Sequence, residues 1–184
     1  MKLIVLLVGM PGSGKEEFAR VAEKRGFTVV RMGDTVREEA RKRGVEPTDK
    51  NVGSLAHSER EKSGYGVWAI RTLSKINRSD EKNVLVDGCR GDSEVAIFKQ
   101  NFSDLDVVAI FSSPEARFDR MRQRKRSDSP FTLEEFYERD QRELKWGIGN
   151  AFIMADYIIL NEGSLDEYRK EINRVLDKIG GRKR

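Results

Sequence analysis

With 184 residues and no break in composition, the chain is long enough for one well-buried core and too uniform to divide into two full domains. Hydrophobic residues make up 38% and charged residues 36%, and 35 basic against 31 acidic side chains leave a formal charge of only +4. That describes a solvated surface rich in ion pairs and argues against a dedicated nucleic-acid binder, while the single cysteine, Cys89, excludes an internal disulfide or a cysteine-based zinc site and suits a reducing, cytoplasmic setting.

The opening run MKLIVLLV is too short to span a membrane and leads straight into a glycine loop, so residues 3–8 are expected as a buried strand and not as a signal peptide. Gly9-Met10-Pro11-Gly12-Ser13-Gly14-Lys15 then matches all of G-x-x-x-x-G-K-[ST] except its last position. Glycine is needed there because successive backbone N–H groups must turn inward around a phosphate with no side chain in the way. A helix over residues 15–25 follows, with Phe18, Val21 and Ala22 on one face and Gly26 as its stop. Its N-terminus and Lys15 complete the expected phosphate site. The bland alternative is a glycine-rich turn with a chance lysine.

Glu16 stands where such loops place a serine or threonine to hold magnesium. Three readings remain open: an acid in the first helical turn favoured by the dipole, a direct or water-mediated magnesium ligand, or a charge that repels phosphate and cripples the site.

Further strands are expected at residues 28–32, 83–87, 106–111 and 157–160, all continuous in hydrophobicity, as strands covered on both faces must be. Residues 33–80 contain no such run. They read as about three helices with breaks near 44–48 and 64–66, a helical insert that closes over a substrate. Ser113-Pro114 reads as a helix start. Thr132 with Glu135 and Ser164 with Glu167 read as capping boxes, the former stapled by Phe131 and Phe136. The last helix carries an apolar stripe of Leu165, Tyr168, Ile172, Val175, Leu176 and Ile179, and residues 180–184 form a frayed tail. The alternation predicts a single α/β domain, a three-layer α/β/α P-loop NTPase fold with a five-stranded parallel sheet, binding nucleotide at the C-terminal ends of the strands.

Two further segments narrow the reading: Arg31-Met32-Gly33-Asp34-Thr35-Val36-Arg37 after the second strand, and Val84-Leu85-Val86-Asp87-Gly88-Cys89-Arg90 at the third. With the loop at Gly9, they resemble the ordered signatures of the nucleoside-monophosphate kinases, in which adenylate kinase carries T-G-D-M-L-R and D-G-F-P-R. The ending Ala155-Asp156-Tyr157-Ile158-Ile159-Leu160-Asn161, followed by Gly163-Ser164, resembles the last strand of dephospho-CoA kinases. Over most of its length the chain is most similar to an archaeal family of P-loop proteins related to both.

The resemblance implies ATP as donor, magnesium as cofactor and a small phosphorylated acceptor. Gly9 through Glu16 would hold the nucleotide, with Lys15 on its outer phosphates. Asp87 would orient magnesium through water, together with Glu16. Asp34 and Arg37 would lie on the acceptor side, Arg37 clamping the acceptor phosphate bidentately; Asp34 as a simple helix cap is the alternative. Arg90 would touch acceptor phosphate, although its segment is one residue shorter than D-G-F-P-R. Met32 replaces a polar residue of the adenylate kinase pattern, which argues against AMP itself as acceptor.

Residues 117–126 hold six basic side chains in ten. In the kinase reading they lead into a short lid at about 120–135, with Arg120, Arg124 or Arg126, joined by Arg139 and Arg142, neutralising charge on the transferring group. A solvated basic helix face and an RNA-contacting face are the alternatives. His57 is expected at the surface, Cys89 as a small packing residue, and Trp68 and Trp146 in or near the core. The leading expectation is therefore transfer of the ATP γ-phosphoryl group to a small phosphorylated acceptor. A nucleotide-dependent RNA-associated or assembly ATPase, and a non-catalytic nucleotide-binding regulator, stand against it.

Overall fold

The computed structural model describes residues 2–124 and 132–182, the side chain of Arg124 excepted. The expected staple residue Phe131, the expected lid residue Arg126, and the last two residues of the expected tail lie outside the described residues.

Leucine, valine and isoleucine runs build five strands: β1 (Leu3–Gly9), β2 (Thr28–Arg31), β3 (Asn83–Cys89), β4 (Leu105–Phe111) and β5 (Tyr157–Leu160). All pairings are parallel and the order is β2-β3-β1-β4-β5, the five-stranded sheet expected from the sequence. One face packs on α1 (Lys15–Lys24) and α9 (Leu165–Gly180) through Phe18, Ala19, Ala22, Tyr168, Ile172, Val175, Leu176 and Ile179. The other face is covered by α2 (Met32–Lys42), α4 (Val67–Arg78), α5 (Asp92–Asn101) and α8 (Ile148–Ile153), with α3 (Asp49–Ser63) contributing Ala56. The layers are therefore α/β/α, because strands with two apolar faces need a helix on each. Trp68 and Trp146 both sit in this second core.

Two helices remain, α6 (Pro114–Arg124) and α7 (Leu133–Lys145). Ser113 Oγ accepts from Ala116 N at the start of α6, and both capping boxes, Thr132/Glu135 and Ser164/Glu167, are formed. The interval 33–80 holds α3 and α4 and most of α2, with breaks where glycine and proline place them. No helix among the described residues is long and apolar enough to cross a membrane.

Four local expectations need correction. The second strand stops at Arg31, and Met32 opens α2 directly with its side chain 2% exposed, since the core beneath takes the thioether. Asp34 does not cap that helix, whose N-cap is Arg31; it lies in the first turn, where the helix dipole favours a carboxylate. Leu165 is half exposed because it opens α9 at the rim, away from the stripe that follows. The edge strands are covered incompletely, with Ile158 and Leu160 of β5 more than half exposed.

Candidate active site

Strand β1 lies between β3 and β4, so the crevice where ligands bind in open α/β sheets falls at the C-terminal ends of β1 and β3. The register there slips between Leu7, paired with Asp87, and Val8, paired with Cys89. Gly88, with φ 101°, is the extra residue. A bulge of this kind re-aims the side chains on either side, and Asp87, Gly88 and Arg90 all border the same cavity.

That cavity, of about 390 Å³, is bounded by Pro11, Gly12, Gly14, Lys15 and Glu16 of the loop and by Arg31, Gly33, Arg37, Asp87, Gly88, Arg90, Met121 and Arg139. Gly12 and Gly14 have φ of 81° and 111°. A Cβ at Gly14 would stand 2.3 Å from Asn161 Nδ2, and one at Gly12 would stand 2.7 Å from the Arg117 carbonyl. Both positions therefore require glycine for conformation and for space.

The loop is pinned from behind through its carbonyls. Arg117 donates to Pro11 O at 3.2 Å, Asn161 Nδ2 to Ser13 O at 2.8 Å, and Tyr168 Oη to Gly14 O at 3.1 Å. In a trans peptide the carbonyl and the next N–H point in opposite directions, so these anchors turn the N–H groups of Gly12, Gly14 and Lys15 to the other side. Arg117 is itself held bidentately by Asp140 of α7 and lies 4.9 Å from the Phe136 ring.

Lys15 Nζ donates to Gly9 O at 2.6 Å and Met10 O at 3.0 Å. Desolvation, and next the positive charge of Arg90, lower its pKa from 10.5 to about 7. Opposite, Asp87 keeps a buried Oδ1 without a hydrogen-bond partner. A carboxylate oxygen orphaned beside a phosphate-binding loop fits a magnesium ion, which takes one or two protein carboxylates and completes its shell with water and phosphate. The described residues contain no cluster of three or more metal-ligating side chains. Glu16 borders this cavity and the one on the other side of the loop.

A second cavity of about 450 Å³ opens between α2, α3 and α7. It shares Gly33, Arg37, Gly88, Arg90 and Arg139 with the first and adds apolar walls from Met32, Val36, Val52, Trp68 and Trp146. Arg37 is half exposed and pairs with Asp34 at 2.7 Å. Arg90 donates to Glu143 at 2.8 Å, and its backbone N–H donates to Glu94 at 2.6 Å. Glu94 is buried and also bridges to Arg60 at 2.8 Å; burial raises its pKa.

A third cavity, also about 450 Å³, lies behind Gly14 and is bordered by Glu17, Arg20, Arg120, Asn161, Leu165 and Tyr168. Arg120, expected beside the transferring phosphoryl group, is found here, with its guanidinium donating to Ser112 Oγ and Asn161 O, both at 2.7 Å. The basic run is thus divided among different fates: Arg117 buried and structural, Arg120 at this cavity, and Arg122 exposed, 5.7 Å from the Phe118 ring. Arg124's side chain and all of Arg126 lie outside the described residues. Arg142 borders the second cavity but not the first, whereas Arg139 borders both. Cys89 is fully buried and its thiol is pushed well above its usual pKa, chiefly by desolvation, which leaves it inert at neutral pH. His57 is part exposed and accepts from the Trp146 indole at 3.3 Å.

The sequence does not mark Arg31, Arg117, Asn161, Tyr168 or Glu143 as residues of the site. Helical spacing was the available signal for one of them: Arg117, Arg120 and Met121 lie on one face of α6, separate from Arg122.

A protein-family model described as an AAA domain matches residues 8–136. Among curated proteins, a UPF0200 protein from the archaeon Hyperthermus butylicus is 47% identical over 180 residues, covering 98% of this chain and 96% of that protein. Among solved structures, shikimate kinase from Acinetobacter baumannii aligns with a TM-score of 0.63 at 19% identity, covering all of this chain and 96% of the other. A gluconokinase from Sinorhizobium meliloti 1021 aligns with a TM-score of 0.56 at 16% identity, covering 99% and 98%. At these identities the structural likeness establishes a P-loop kinase-like fold.

Proposed function

The chain belongs to the UPF0200 family, with an AAA domain over residues 8–136, and from that premise we propose that it is an ATP-dependent phosphotransferase acting on a small phosphorylated acceptor. The observation that carries this reading is the common wall between the loop cavity and the arginine-bordered second cavity, formed by Gly33, Arg37, Gly88, Arg90 and Arg139. A hydrolase or nucleotide switch needs the first chamber; a second chamber opening onto it through three arginines suits a phosphate that must meet the donor.

In this reading the loop amides and Lys15 bind the donor's outer phosphates. The third cavity takes its nucleoside, with Arg120 at its border held by Ser112 and Asn161. Arg37, Arg90 and Arg139 hold the acceptor phosphate. Five cations against two carboxylates around the first cavity offset the charge of the phosphates brought together. Magnesium, held by Asp87 through water with Glu16 nearby, would supply charge neutralisation on the donor phosphates. The bond from the γ-phosphorus to the β,γ-bridging oxygen breaks, a bond to an acceptor phosphate oxygen forms, and ADP leaves. An acceptor oxygen that is already ionised needs no general base. Arg124 and Arg126 of the lid are proposed to add transition-state charge, with Arg120 serving from the nucleoside side.

The test is product formation from ATP and magnesium with a panel of nucleoside monophosphates and other phosphate monoesters. ADP release that depends on one of them supports the proposal. Stimulation by RNA alone, or tight ATP binding with no turnover on any acceptor, would sink it.

The lowered pKa of Lys15 adds a pH prediction. Bound triphosphate favours the ammonium form, so the pKa rises from about 7 on binding. Above pH 7 the free site lacks a proton that the complex holds, so ATP affinity should fall as pH rises from 7 toward 9. Calorimetry at pH 8 in buffers of different ionisation enthalpy should register net proton uptake of up to about one per site. A buffer-independent heat would contradict it.

A further inference from the structure

At the mouth of the second cavity, Asp49 is the first residue of α3, placed there by Thr48, whose Oγ1 caps the helix by accepting from Asn51 N at 3.2 Å. Its carboxylate reaches across to α7. Oδ2 accepts from Arg142 Nη2 at 2.7 Å, and Oδ1 lies 3.5 Å from Arg139 Nη2. One turn along α3, Gly53 leaves room for this approach, since a Cβ there would come within 2.9 Å of the Arg142 guanidinium carbon. The three charged side chains are only 14–32% exposed, so the contacts are less screened than surface pairs. Of the two arginines, Arg139 also borders the phosphate-binding loop cavity, and Arg142 does not.

A carboxylate and a phosphate ask the same thing of a guanidinium, two parallel acceptor oxygens. We propose that Asp49 is a specificity-determining residue of the acceptor cavity: its carboxylate stands in for the acceptor's anionic group on Arg139 and Arg142, and an incoming phosphate monoester must draw Arg139 away from it. This rests on reading the second cavity as the acceptor site. It goes beyond that reading in giving the acid of α3 a role in setting how much negative charge an acceptor must carry. Among the described residues that line the cavity, the carboxylates are Asp49 and Glu143, and Glu143 is paired with Arg90. Asp49 is thus a carboxylate that an acceptor phosphate meets at Arg139 and Arg142.

The signature is a dependence on ligand charge. Removing one negative charge from beside two arginines favours a dianion about twice as strongly, on a logarithmic scale, as a monoanion of similar shape. Calorimetric titration at pH 8 with phenyl phosphate and with benzoate reads this directly. Asp49→Asn should bind phenyl phosphate about fivefold more tightly than wild type and benzoate about twofold more tightly, and Asp49→Glu should restore both to within about twofold of wild type. Arg142→Gln, an independent variant should Asp49→Asn fold poorly, leaves the carboxylate to Arg139 alone and should weaken phenyl phosphate about fivefold. Equal or weaker binding by Asp49→Asn, the same gain for both ligands, no binding by either protein, or an unchanged affinity in Arg142→Gln would each overturn the assignment. ATP titrated with magnesium into the same wild-type protein is the separate arm. Its failure to bind would remove the phosphotransferase reading, whatever the two anions show about Asp49.

Discussion

Lys15→Met is expected to lower acceptor-dependent ADP formation by at least about 100-fold, the scale on which single preorganised charge donors act in transition states. The ammonium lies inside the loop, bound to Gly9 O and Met10 O, at the wall that Arg90 and Asp87 share. The loop amides survive the substitution, so some nucleotide binding should persist while turnover is lost. Stability should move the other way. The folded protein holds this lysine with a pKa of about 7 against an ordinary 10.5, so between those values the unfolded chain binds more protons and stability rises with pH. The cost of burying the ammonium is therefore fully present below pH 7. Lys15→Met should melt no lower than wild type at pH 6, and a variant that loses both activity and thermal stability there would show that the lysine is structural.

Arg117→Ala is expected to be the most destabilising single change at the site, by about 3–5 kcal/mol, because it leaves Asp140 buried without its bidentate partner. For a chain of this size that corresponds to a fall of roughly 10 °C in Tm. The same change releases the Pro11 carbonyl, so the loop should lose its set orientation and nucleotide affinity should fall as well. In the double variant Arg117→Ala/Asp140→Ala the orphaned charge is gone, and its Tm should lie above that of the single variant. Additive losses would mean that the pair is not coupled.

These two residues show how unevenly the site could be seen in advance. Lys15 belongs to a motif in which a strand, a glycine turn and a helix follow one another within about a dozen residues, so local sequence carries both its position and its chemistry. Arg117 looks like one more cation in a basic run, and helical spacing separates it from Arg122 without saying which of the two faces is buried. Its burial depends on Asp140 and Pro11, partners that lie 23 and 106 residues away. Arg120 was displaced in the same way. The kinase resemblance set it beside a phosphoryl group, whereas helix phase and contacts with Ser112 and Asn161 put it at the cavity behind Gly14. Asp49 and Glu143 were passed over because a lone acid on a polar helix carries no signal until the helix facing it is known.

What the amino-acid order determined by itself was the layered α/β architecture, the phosphate loop and the capped starts of α7 and α9. Each follows from residues close together in the chain: apolar runs of strand length, glycines that permit positive φ, and serine or threonine three residues before glutamate. Only the tertiary structure decided the extra residue at Gly88, the three carbonyl anchors behind the loop, the two chambers meeting at Arg139, and the pairing of Asp49 with α7. The reason is physical. An ion pair or a cavity wall is set by which helices lie side by side, and helix placement answers to the packing of two core faces at once, information that no short stretch of sequence contains.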